Sequence, residues 1–128
     1  MKALQTLTAL IEGATGVALL VVPSFVVKLL LGSPLDSAPA VVLGRVAGAA
    51  LLALGIACWL ARIDIQSRAV RGLGAAMLFY NLAAVVLFIY AACYLKLQGV
   101  ALWPAVILHA AMAAWCIFCL CNRSSRHS

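Results

Sequence analysis

Four apolar stretches, each long enough to cross a lipid bilayer, take up most of this 128-residue chain. They run near 4–22, 38–61, 69–94 and 100–121, and a helical span needs about 20 residues. In hydrocarbon every backbone N–H and C=O must be satisfied internally, which leaves helices as the only form for such stretches. Only 9% of the residues are charged, against about a quarter in a soluble domain. The expected fold is an all-α, single-domain integral membrane protein: an antiparallel four-transmembrane-helix bundle over residues 1–128. The first stretch is not expected to be a cleavable signal, because Gln5, Thr8 and Glu12 interrupt the apolar run that a signal requires.

The net charge of +6 would suit nucleic acid, but the charges sit in loops and tails, so no nucleic-acid partner is expected. Lipid topology explains them. With the N-terminus in the cytoplasm, the inner side holds Lys2, Arg62, Arg68, Arg71, Arg123 and Arg126, and the outer side only Lys28 and Lys96. The positive-inside rule then places both termini in the cytoplasm. Trp59 and Trp115 fall near the inner interface, and Tyr90, Tyr94 and Trp103 near the outer one.

Between the first two spans, Ser24–Gly32 is apolar with a single Lys and too short to cross. It is expected to lie in the interface as a short amphipathic helix after Pro23. Asp36 or Ser37 then caps the second span.

Each span carries a strongly polar residue: Glu12, Arg45, Asn81 and His109. Ionisable groups facing lipid at such depth are costly, by a few kcal/mol on insertion scales. These side chains are therefore expected to turn inward as one polar cluster. Gln5, Thr8, Glu12 and Thr15 are spaced three, four and three, so they share one face of the first helix. Small residues suited to close helix packing lie at Gly13, Gly16, Gly44, Gly48 and Gly55.

Arg45 has two options: to snorkel outward to headgroups, or to reach inward to Glu12, about five residues below it and roughly 7–8 Å along the axis, within reach of an extended side chain. Their pairing would be a ligand or headgroup anchor, a proton-handling carboxylate, or a structural salt bridge that fixes register. His109 with Asn81 and Tyr80 would hydrogen-bond a ligand or fill the core. No metal is expected. Cys58, Cys116, Cys119 and Cys121 gather at the inner end, which invites soft-metal or acylation chemistry, although Cys is also a readily buried packing residue. Tyr80, Leu87, Tyr90 and Tyr94 form a stripe that could flank a flat ligand or serve as packing and interface anchors. No P-loop, nucleophile elbow or paired acidic metal motif is present.

The early Glu12-Gly13, the Gly44-Arg45-x-x-Gly48 segment with its apolar run to Gly55, and the four-span plan resemble the DoxX-like group of small bacterial four-helix membrane proteins. Some of that group are associated with quinone-linked sulfur oxidation or membrane redox complexes. The resemblance implies a bacterial inner membrane location and a quinone or lipid in the bundle.

The leading functional expectation is a binding or accessory protein. It would hold a hydrophobic molecule with a polar head at Glu12, Arg45, Tyr80, Asn81 and His109, or dock on a larger membrane complex. A small enzyme acting on an isoprenoid-like substrate is the alternative. A transporter or proton channel, built as a homo-oligomer through the Gly44/Gly48 face, is the third reading.

Overall fold

The computed structural model describes residues 2–63 and 67–124. Among them are five helices: α1 (Lys2–Val21), α2 (Pro23–Leu31), α3 (Ala38–Ala61), α4 (Arg68–Cys93) and α5 (Leu102–Ser124). Asp64 and the tail beyond Ser124 lie outside the described residues. Four of the helices, all but α2, are long and apolar enough to cross a membrane. Large apolar side chains cover their outer surfaces. Leu43, Phe79, Leu87 and Ile107 are all more than half exposed, a distribution that suits lipid rather than water. The chain is a multi-pass membrane protein with a helical bundle fold.

Local chemistry sets the breaks. Pro23 has no N–H to continue α1 and opens α2 instead. Gly32 ends α2 in the left-handed region at φ 81°, its N–H donating to the Lys28 carbonyl. Ser37 rather than Asp36 caps α3, accepting from the Ala40 amide at 3.3 Å. Ser67 caps α4 in the same way through Val70.

The four long helices associate as two pairs. α1 packs along α3, α4 packs along α5, and the backbones of the two pairs approach each other little. The α1–α3 contact is made by backbone. A Cβ at Gly16 would lie 2.6 Å from the Leu52 nitrogen and 2.7 Å from the Gly48 oxygen; one at Gly48 would meet the Gly16 oxygen at 2.8 Å. Gly55 sits against the Gly13 nitrogen in the same manner, at 2.9 Å. Lipid tails are as apolar as Leu, so helices gain little from burying Leu against Leu, and close backbone approach supplies the dispersion contact instead. Gly44 packs on Leu35 and Pro23. The Gly44/Gly48 face that would have served an oligomer is thus occupied within the chain.

The antiparallel pairs are joined at both ends. At the α2 end, the Ala101 amide donates to the Leu29 carbonyl at 2.9 Å, and Gly99 lies directly against the Leu29 and Leu30 backbone. Toward the end that carries both termini, Leu4 and Ala9 of α1, Cys58 of α3, Met77 of α4, and Met112, Cys116 and Cys119 of α5 form one buried cluster. All four long helices contribute to that core.

Candidate functional site

Beside this core, α1 turns its polar stripe inward. Gln5, Thr8 and Glu12 are at most 4% exposed, because successive spacings of three and four keep them on one helix face. From α4, Tyr80 reaches across the seam between the two pairs and donates its hydroxyl to the Glu12 carboxyl at 3.4 Å. This is a long contact, but it is the one described side-chain hydrogen bond from α1 to the other pair.

The next residue, Asn81, is 1% exposed and turns toward α5. Its amide nitrogen donates to the Met77 carbonyl at 2.7 Å, one turn back on its own helix. Its amide oxygen lies 2.8 Å from His109 Nδ1. Since the Asn81 nitrogen is committed to Met77, the oxygen is the acceptor and Nδ1 carries the proton. The neutral ring then presents Nε2 as an acceptor. Tyr80 meets the imidazole edge-on at 5.6 Å between ring centres, and Phe88 lies tilted beside it at 5.7 Å. The imidazole is thus held by one hydrogen bond and two aromatic rings.

Four of the five sequence-derived ligand residues therefore converge: Glu12, Tyr80, Asn81 and His109, from three helices. Arg45 does not join them. It is exposed, and no ion pair to Glu12 forms among the described residues. The glycine register supplies the reason. With Gly13 opposite Gly55, Gly16 opposite Leu52 and Leu20 opposite Gly48, Glu12 comes level with Ile56 and Arg45 with Pro23. The two residues are then 11 positions apart, about 16 Å along the axis, rather than the 7–8 Å expected from counting in from the span ends. Arg45 also lies roughly 100° around α3 from the middle of the buried arc marked by Gly48 and Cys58. The salt bridge is corrected to a Glu12–Tyr80 hydrogen bond.

Gln5 gains importance in the structure. Its side chain is 4% exposed, and both its amide nitrogen and oxygen lack a hydrogen-bond partner. An unpartnered buried amide costs about 1–3 kcal/mol, so the stripe holds unused donor and acceptor capacity. The spacing signal placed Gln5 on the stripe but could not show that its amide would find no partner. Phe88 was also missed, although its position two turns from Asn81 on the same face of α4 marks it.

The aromatic stripe divides. Tyr80 points into the seam, whereas Tyr90 and Tyr94 stack on each other at 5.3 Å and are exposed. Cys58, Cys116 and Cys119 are buried among apolar side chains, and Cys121 is exposed. Among the described residues no group of three or more His, Cys, Asp or Glu side chains is placed to hold a metal ion. Comparison of the chain with protein-family models, with curated protein sequences and with solved structures gives no match in any of the three.

Proposed function

We propose that this protein binds a hydrophobic molecule with a small polar head, a quinone or a lipid, in the seam between the α1–α3 and α4–α5 pairs. The observation that carries the reading is the convergence of Glu12, Tyr80, Asn81 and His109 from three helices in an otherwise apolar bundle. A bundle that needed only to pack could have used Leu at these positions. Asn81 fixes the tautomer so that Nε2 accepts from a hydroxyl head group, and the aromatic rings of Tyr80 and Phe88 lie against the imidazole. Gln5 lies about 10 Å along α1 from Glu12, and its unpartnered amide offers a donor and an acceptor to a second polar group. In this reading the protein sits in a bacterial inner membrane with both termini in the cytoplasm. The quinone class is also what the resemblance to DoxX-like proteins implies.

The test is extraction of the full chain from membranes into polymer-bounded lipid discs, followed by mass spectrometry of the organic-soluble content. The parent protein is expected to carry a near-stoichiometric quinone or one enriched lipid. His109→Phe and Glu12→Gln should lose most of it, while Phe79→Ala on the outer face should keep it. Equal content in all four proteins would overturn the assignment.

A further inference from the structure

A second feature lies away from the seam, at the end of the bundle that carries the termini. There α4 and α5 border an open groove of about 600 Å³, lined by Arg68, Arg71, Gly72, Ala75 and Leu120. Arg68 and Arg71 are one helical turn apart in the first turn of α4, and both are exposed. Neither side chain forms an ion pair or hydrogen bond among the described residues. Arg62, the neighbouring cation, is already engaged: its guanidinium lies 3.4 Å over the Trp59 ring, and Nε donates to the Trp59 carbonyl at 3.0 Å. The two groove arginines, unlike Arg62, thus keep their guanidiniums without a partner among the described residues.

The groove has two chemically distinct parts. Its end wall carries two guanidiniums, each able to grip a phosphate through paired N–H donors. Its side wall, nearer the bilayer centre, is Gly72, Ala75 and Leu120. At Gly72 no atom lies within 4 Å of where a Cβ would stand, so the groove floor is open. A free anion would use the arginines and leave the apolar wall uncovered. An amphiphile with a phosphate at one end and hydrocarbon beyond it fits both parts, and α4 and α5 are spanning helices whose ends fall at headgroup depth.

We propose that the groove between the start of α4 and the end of α5 is a binding site for an anionic phospholipid. Its phosphate is held by Arg68 and Arg71, and its glycerol and first methylenes lie along Gly72, Ala75 and Leu120. The site is independent of the seam ligand and stands if that reading fails.

The experiment is native mass spectrometry of the full chain released from nanodiscs containing phosphatidylcholine and phosphatidylglycerol. Retained phosphatidylglycerol is expected to exceed its share of the disc. The Arg68→Gln/Arg71→Gln pair should reduce that enrichment about tenfold, the worth of a lost charge-assisted contact. Ala75→Trp, which blocks the apolar wall and keeps both charges, should reduce it as well. Lys28→Gln and Arg45→Gln, which remove charge elsewhere, should leave it unchanged. Added inorganic phosphate should not compete. All four variants change exposed positions, and a helical circular dichroism spectrum confirms folding. Equal loss in the Lys28 and Arg45 variants would show a diffuse charge effect and overturn the site. So would full enrichment in Ala75→Trp, or displacement by inorganic phosphate, which would identify a simple anion site.

Discussion

The two helix pairs solve the same problem by opposite means. In α1–α3, Gly16, Gly48 and Gly55 bring two backbones into direct contact. In α4–α5, the described polar contact runs through side chains, from Met77 to Asn81 to His109. Both answers follow from the solvent. Inside a bilayer, apolar burial does not favour helix association over lipid contact, so what remains is close packing or hydrogen bonding. The glycine pair is held by close backbone contact. The polar pair holds an imidazole by one hydrogen bond and two aromatic rings, with Tyr80 reaching on to Glu12. The first is a scaffold that brings Glu12 to the site, and the second supplies Tyr80, Asn81 and His109.

The contrast predicts unequal sensitivity to mutation. Gly48→Val should be the most damaging change, because the new side chain meets the Gly16 oxygen and the Leu20 nitrogen within 3 Å. A loss of about 3 kcal/mol is expected on overpacking backbone against backbone, read from denaturant titration in mixed micelles. Gly13→Ala, with open space at its Cβ, should be neutral in the same assay. If the two behave alike, the backbone contact is not what holds α1 to α3.

Asn81→Leu should come next, at about 1–2 kcal/mol, since hydrogen bonds between spanning helices are modest. It removes the His109 contact and frees the Met77 carbonyl. A double-mutant cycle with His109→Phe should show coupling of about 0.5–1 kcal/mol. Additive effects would mean that the two side chains do not meet. Arg45→Leu should have little effect, within about 0.5 kcal/mol, as for a surface position. A loss of 3–5 kcal/mol, the penalty for breaking a buried ion pair, would restore the Glu12–Arg45 salt bridge and break the register described above.

Much of this fold was legible in the chain itself. Span number, the short helix after Pro23 and the cap of α3 follow from apolar run length and turn chemistry, which are local. The inward turn of Glu12, Asn81 and His109 follows from the expense of polar groups in lipid. Register between helices was not legible. Glycine at positions 44 and 48 says that something approaches closely, not which residue. Sequence counting therefore put Arg45 within reach of Glu12, whereas the packing of Gly13 on Gly55 puts them about 16 Å apart along the axis. Partner choice for Tyr80 was hidden for the same reason. Its hydroxyl meets Glu12 only once two helix pairs are set side by side.

The central claim is that Asn81 and His109 join α4 to α5 and that this bond fixes the tautomer of the imidazole. Solid-state NMR of histidine-labelled protein in lipid bilayers tests it most directly. The account predicts a His109 ring protonated at Nδ1 and bare at Nε2, with a through-space contact between the imidazole and the Asn81 side chain. A ring protonated at Nε2 with no contact to Asn81 would contradict it.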